Sequence, residues 1–319
     1  MKKILLLLPS NSSFLPPLKK AFKSISWQVA TFDYRKGDFP IRILRFTPII
    51  GGRQEAAEAI NKKILKISRK CSPDLILTVK GETLWKRLLG DLKTQKTKVV
   101  NWFPDPMNTW DLAKKIVPFY DYFLHFDPLI VEKLKSVGYK NIYYLPFASE
   151  IQKSSKAKKN YDISFIGTYS EFRENYLSNL KKFNLNIWGD PRWYSSSLKK
   201  FVRGGRIHQD KMKDIIKKSK ININIHFNAP REGANLRTFE VAGCSSFLLT
   251  DYVKDIENLF KVGKEIDLYR TPLQMVSKSK YYLNNESLRE KIAEAGYKKA
   301  KSMHNYVKRV QEMLKIIYG

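Results

Sequence analysis

Two carboxylates, Glu232 and Glu240, stand eight positions apart in a segment that reads REGANLRTFEVAGCSSFLLTD from Arg231 to Asp251. Glu232, Gly233, Ala234 and Asn235 form a short polar loop that feeds an apolar-periodic helix. Asn235 is a suitable N-cap and Gly243 a suitable C′ residue, and the apolar run Phe247-Leu248-Leu249 then reads as a buried strand. A helix N-terminus offers unbonded N–H groups and a partial positive charge, so it favours phosphate. Carboxylates on either side of such a helix end suit a ligand with phosphates at one end and sugar hydroxyls at the other. The same residues also fit an ordinary capped helix before a strand, with Glu240 solvated.

Other stretches could add to such a site. Phe165-Ile166-Gly167-Thr168-Tyr169-Ser170 is a strand running into a Gly-Thr turn, and Gly167 would let the backbone approach a ligand closely. In open α/β sheets, ligands bind beyond the strand C-termini. Arg173, one turn into the following helix, is either a helper at that turn or a surface charge. Trp188 in Trp188-Gly189-Asp190 either stacks on a base or fills the core. The loop Gly204-Gly205-Arg206-Ile207-His208 precedes a helix. In the N-terminal half, Asp105 follows Asn101-Trp102-Phe103-Pro104. It suits two roles, proton acceptor for a hydroxyl or cap of the next helix. Asp127 and Glu82, also at strand ends, read as caps rather than catalysts. The histidines, His125, His208, His226 and His304, are scattered. No zinc spacing or Gly-x4-Gly-Lys phosphate loop is present, and no metal is expected.

These residues must be positioned by alternating strands and helices. The first series predicts strands at 4–8, 27–32, 74–79, 96–102, 122–126 and 141–144, with helices at 17–24, 54–70 and 129–137, the last stopped by Gly138. Residues 146–160 lack apolar periodicity and read as a linker. The second series predicts strands at 161–166, 185–188 and 221–225, helices at 171–182 and 211–218, the segment described above, and closing helices at 285–300 and 305–317. Short apolar strands between helices argue for α/β structure with parallel sheets covered on both faces.

The composition is that of a globular chain: 319 residues, 43% hydrophobic, long enough for two domains. Lys2-Lys3 and the apolar Ile4–Leu8 run superficially resemble a signal peptide. The run is short, Pro9 interrupts it, and it reads as a buried first strand. No window suggests a transmembrane helix. Cys71 and Cys244 are expected to be reduced thiols in a cytoplasmic protein. Lys and Arg outnumber Asp and Glu, 59 to 30, for a net charge of +29, so a polyanionic partner is expected.

The Glu-x7-Glu spacing resembles the nucleotide-sugar motif of GT-B glycosyltransferases. The run Asn235-Leu236-Arg237-Thr238-Phe239-Glu240 with Ala242-Gly243, and Trp102-x-x-Asp105, are similar to the CgeB-like (spore maturation) branch. The resemblance implies a GT-B fold of two Rossmann-like domains facing across a cleft. These would be an acceptor-side domain at 1–150, a nucleotide-sugar domain at 151–302, and a last helix, 303–319, crossing back. It implies a hexosyltransferase-type enzyme using a nucleotide diphosphate-sugar, with a glycan, glycolipid or protein acceptor and neither metal nor other cofactor. Metal-dependent GT-A enzymes generally use Asp-x-Asp, which this chain lacks. The carried-over roles are ribose binding for Glu240 and, for Glu232, donor-sugar contact as a catalytic residue alongside Asp105. Asn235, Arg237 and Gly167 would surround the diphosphate with Arg173 as a helper, Thr168, Gly233 and Ala234 would also bind the nucleotide-sugar, and Trp188 would lie near the base. Many relatives have Gly-x-Pro after the site helix, where this chain has Gly243-Cys244-Ser245-Ser246.

Two rival readings follow from the same sequence. One is a nucleic-acid-binding protein, motivated by the charge, although its lysines are spread along the chain and no RNA- or DNA-binding signature is present. The other is a GT-B module without activity. Lys19, Lys20 and Lys23, and Lys62, Lys63, Lys66, Arg69 and Lys70, lie at helical spacings in the first domain. They leave contact with the anionic inner face of the membrane as an alternative to a purely cytoplasmic location.

Overall fold

The computed structural model describes residues 1–35, 52–81, 84, 86–93, 97–106, 109–152, 158–207, 209–226 and 228–319. The chain divides into two compact units, Met1–Pro146 with Val310–Gly319, and Phe147–Arg309. Each is built on a six-stranded sheet in which every strand pair is parallel.

In the first unit the strands are β1 (Lys3–Leu7), β2 (Gln28–Phe32), β3 (Leu75–Val79), β4 (Lys98–Phe103), β5 (Tyr122–His125) and β6 (Ile142–Tyr144), in the order β2-β1-β3-β4-β5-β6. The central strands are apolar runs because helices cover both sheet faces: Ile4 to Leu7 and Leu75 to Leu77 are all buried. The helices are α1 (Leu15–Ser24), α2 (Gly52–Cys71), α3 (Lys86–Lys93), α4 (Trp110–Ile116) and α5 (Pro128–Ser136). The end of the last helix belongs to this unit, where the Tyr122 hydroxyl donates to the Ile317 carbonyl at 3.0 Å.

In the second unit β7 (Tyr161–Gly167), β8 (Leu185–Gly189), β9 (Val202–Gly204), β10 (Ser219–Asn224), β11 (Leu248–Asp251) and β12 (Asp267–Tyr269) run in the order β12-β11-β10-β7-β8-β9. The order reverses between β7 and β10, which is where an open α/β sheet leaves a crevice beyond its strand ends. The helices are α6 (Glu171–Ser178), α7 (Gln209–Lys218), α8 (Leu236–Gly243), α9 (Ile256–Leu259), α10 (Pro272–Asn284) and α11 (Glu286–Met303), together with the first residues of α12 (Tyr306–Tyr318), whose remainder from Val310 belongs to the first unit.

The sequence reading missed α3, α9, α10, β9 and β12, and gave no bounds for α4, the helix it expected after Pro106. Most are short, and α10 buries only Met275, Ser279 and Tyr282, too sparse a stripe to show as periodicity. The helix expected to reach residue 182 ends at Ser178, with Leu180 buried in the turn that follows. Gly243 is also not the C′ residue. It is the last helical residue, Cys244 is the C-cap, and the positive φ of 53° falls on Ser245. Glycine is needed at 243 for space, because an added Cβ would overlap Ser149 Oγ and approach the Glu150 carbonyl oxygen to 2.8 Å. Among the described residues, no helix is long and apolar enough to cross a membrane.

Candidate functional site

The second unit gathers its polar residues at the β7–β10 reversal. In β10 the alternation Ile221, Asn222, Ile223, Asn224 puts isoleucines into the apolar core and asparagines on the opposite face. The Asn224 and Asn235 side-chain amides bond each other reciprocally, both at 3.0 Å. Asn235 has extended backbone angles, and its Oδ1 accepts from the Thr238 N–H at 3.3 Å. It is thus the N-cap of α8. Ala234 and Gly233 are buried in the loop before it. Among the described residues, no acceptor meets the N–H groups of Leu236 and Arg237, which leaves them available at the helix start.

His226, just past β10, is buried under this cap. Its Nε2 accepts the Asn235 backbone N–H at 3.1 Å, and its Nδ1 lies 2.6 Å from Asp251 Oδ1 at the end of β11. A backbone N–H can only donate, so Nε2 is the acceptor and the ring proton sits on Nδ1, facing the carboxylate. Asp251 also accepts the His226 N–H at 3.0 Å on each oxygen and lies 3.6 Å from Arg231. Burial works against its ionisation, but His226 and Arg231 outweigh that and hold the carboxyl below its usual range.

Arg173 is no surface charge. It is buried, and its Nε and Nη2 both donate to the Ile225 carbonyl, at 3.1 and 2.7 Å. Its Nη1 reaches the Thr168 carbonyl at 3.0 Å and Thr168 Oγ1 at 2.6 Å. It therefore ties the turn after β7 to the end of β10. Burial pushes its pKa down to about 10, so the group stays charged at neutral pH. Asp251 supports that charge while Arg231 and Arg237 oppose it.

Glu240 lies one turn along α8, and Arg237 Nη1 meets its Oε2 at 2.6 Å. Burial raises the Glu240 carboxyl, with Arg237 and Lys213 opposing. Glu232 pairs with a different cation, Lys254, at 3.2 Å, and its carbonyl accepts from the Asp255 N–H at 3.0 Å. Gly167 is held from two sides. Its carbonyl accepts from Trp193 Nε1 at 3.0 Å, and Gly189, with φ of 150°, packs so closely that any Cβ would overlap that carbonyl. Trp188 is buried with its ring edge-on to Tyr161 at 5.0 Å.

In the first unit, Asp105 pairs with Lys80 at 2.6 Å. The following helix, α4, takes Thr109 as its N-cap residue, so Asp105 does not cap it. Asp127 is a cap, its Oδ1 accepting from the Leu129 N–H at 3.0 Å. Glu82 and His208 lie outside the described residues. His226, Asp251 and Asn224 escaped the sequence reading, since each comes from a different strand end or a single buried face. The one local signal was Asn alternating with Ile in β10.

Residues 171–315 match the family model described as "Glycosyl transferase-like". No curated protein matches the chain in sequence. Among solved structures, sucrose-phosphate synthase from Thermosynechococcus elongatus is similar over 99% of this chain and 98% of its own, at TM-score 0.71 and 12% identity. Anabaena HepE in complex with UDP-glucose is similar over 99% of both chains, at TM-score 0.70 and 12% identity. The lipopolysaccharide outer core galactosyltransferase WaaB, in its apo form, is similar over 99% of both chains, at TM-score 0.63 and 11% identity. The fold is that of the GT-B glycosyltransferases, and within the C-terminal half the sequence matches the glycosyl transferase-like family model.

Proposed function

We propose that the protein is a glycosyltransferase that moves a sugar from a nucleoside diphosphate sugar to an acceptor hydroxyl without a bound metal. The observation that carries this is the positive field at the start of α8. Arg231 lies 3.6 Å from Asp251, the charges of Arg231 and Arg237 both act on buried Arg173, and the Leu236 and Arg237 N–H groups are available at the helix start. A departing diphosphate gains negative charge in the transition state, and preorganised cations and backbone N–H groups stabilise that charge without reorganising. Arg173 contributes as a fixed charge, since its donors already hold Ile225 and Thr168.

In this reading Glu240 accepts hydrogen bonds from the ribose hydroxyls, and Arg237 beside it opposes the rise in its pKa that burial causes. Glu232, Gly233 and Ala234 line the donor-sugar side. The acceptor is the hydroxyl of a glycan, glycolipid or protein, and Asp105 in the first unit takes its proton. The HepE complex makes UDP-glucose the first donor to try. The run from Asn235 to Glu240 favours the CgeB-like branch.

A thermal-shift series with UDP, GDP, ADP and CDP tests the site. A ligand present at about 100 times its Kd adds roughly 2.7 kcal/mol of stability. Glu240→Ala is expected to weaken binding of the responding nucleotide by about 1.5–3 kcal/mol, the range for hydrogen bonds to charged groups. Unaltered affinity would remove Glu240 from the ribose role. Donor turnover is expected to survive EDTA; complete loss, restored by manganese or magnesium, would end the metal-free part of the proposal.

A further inference from the structure

We infer that His226 is a positioning residue for nucleotide binding, acting through the backbone of Asn235; the inference rests on the donor site proposed above. His226 lies outside the Glu232–Glu240 segment. It would not touch the nucleotide, because both ring nitrogens are occupied within the protein.

The starting point in the chain is α8. Its anion-binding capacity depends on where the Leu236 and Arg237 N–H groups point, and that is set by the residue before them. Asn235 is fixed at both ends of its polar equipment. The side chain is locked by the reciprocal amide pair with Asn224 and by the Thr238 N–H, and the backbone N–H is held by His226 Nε2. Nε2 can accept only while the ring proton is on Nδ1, and Asp251 Oδ1, 2.6 Å away, keeps it there. Asp251 is fixed in turn by the His226 backbone N–H on both oxygens and by Arg231, the first residue of the loop that carries Glu232. The histidine thus joins the end of β10, the end of β11 and the donor loop. A buried histidine that only filled space would need neither the carboxylate nor the capped residue as a partner.

Two substitutions separate the two ring contacts. In His226→Gln the amide extends to the ε position, where its oxygen can accept the Asn235 N–H, while the contact with Asp251 is lost. In His226→Asn the amide reaches only the δ position. It can still donate to Asp251 but leaves the Asn235 N–H without its acceptor. Each variant removes one buried ring contact, so both are expected to melt lower than wild type by similar amounts. The measurement is the Kd, by calorimetry, of whichever of UDP, GDP, ADP or CDP stabilises the wild type most. The expected result is Gln within about threefold of wild type and Asn weaker by about tenfold, which corresponds to about 1.4 kcal/mol. Equal, wild-type-like affinity in both destabilised variants would overturn the inference and leave His226 a core residue. Weaker binding by Gln than by Asn would overturn it as well, since the Asp251 contact would then matter and the Asn235 contact would not. If the wild type binds none of the four nucleotides, the donor-site reading itself fails and the inference falls with it.

Discussion

His125 and His226 each stand at or just past a strand end, one in each unit, and both imidazoles are buried, yet they carry their protons on opposite nitrogens. His125 Nδ1 accepts the Asp127 backbone N–H at 3.0 Å, so its proton sits on Nε2 and is donated to the Asp105 carbonyl at 3.1 Å. His226 has the reverse arrangement, with the proton on Nδ1 facing Asp251. In the first unit both partners are main-chain groups, so the ring is an uncharged strut that fixes the backbone of Asp105. In the second unit one partner is a carboxylate that also lies 3.6 Å from Arg231, so the ring links a charged network to a helix cap. The same side chain serves as scaffold on one sheet and as part of an electrostatic assembly on the other. What decides between them is whether the neighbouring strand ends in a carboxylate.

The largest expected effect tests the scaffold half of this comparison. Burial pushes the His125 pKa down to about 3 from 6.5, and that of His304 down to about 4. The unfolded chain binds a proton near pH 6.5 that the folded chain refuses, so stability is complete above pH 6.5 and declines as pH falls through the window to about 3. At about 1.4 kcal/mol per unit, His125 alone contributes on the order of 5 kcal/mol across that window. Asp251, held below its usual range, adds a loss of the same sign at the acid end. Urea unfolding from pH 7.5 down to 4.5 should show the decline, and His125→Asn should flatten it. A wild-type stability that is level over this range would contradict the uncharged strut.

Next in size is a separation of chemistry from binding between the units. Asp105→Asn keeps the shape of the side chain beside Lys80 but removes a proton acceptor. Loss of a general base lowers kcat by about 10²-fold or more. The nucleotide Kd should move less than twofold, because the donor network lies in the other unit. Glu240→Ala should give the opposite pattern, with Kd as the main casualty. If Asp105→Asn leaves kcat intact, the base lies elsewhere and the Lys80–Asp105 pair is a structural contact.

Two glycines show how far the sequence could be read. Gly138 and Gly243 both follow apolar-periodic stretches and both read as helix stops. Gly138 is one in the expected way: it has φ of 97° and open space around a would-be Cβ. Gly243 has no positive φ and no room. Local chain geometry is written in local sequence, so Asn235 as N-cap, Asp127 as cap, and most strands and helices could be placed. Close approach by a distant segment, here Ser149 and Glu150, leaves no local mark. Neither does the meeting of Asn224, His226 and Asp251 at the ends of separate strands. Arg173 was legible as a candidate but not as a clamp, since its acceptor Ile225 is 52 residues away. The glycines can be told apart by substitution. Gly138→Ala should cost roughly 1 kcal/mol, the strain of a left-handed residue, and Gly138→Asn less. Gly243→Ala gains about 1 kcal/mol of helix propensity, yet should still lose a net ~2 kcal/mol or more through overlap with the Glu150 carbonyl. Equal costs in urea unfolding would mean that the contact with Glu150 yields easily.

The smallest expected effect concerns the charge that dominates the composition. Lys62 and Glu58 form an i,i+4 pair at 3.2 Å on α2 of the first unit, with side chains 75% and 48% exposed. Lys213 and Glu150 meet at 2.6 Å in the second unit, with Lys213 only 12% exposed. An exposed pair is screened by water and salt and contributes within ~0.5 kcal/mol. At a net charge of +29, removing one cation also relieves repulsion, so Lys62→Ala should be neutral or slightly stabilising. Lys213→Ala should cost about 1 kcal/mol, a value set below the usual charged bond because Glu150 is partly solvated. Unfolding in 0.1 and 1 M salt should leave the Lys213 effect largely in place and erase whatever Lys62 shows. If Lys62→Ala instead destabilises by more than 1 kcal/mol, surface charge is part of what holds the first unit together. If it does not, this surface charge contributes nothing measurable to how the first unit folds.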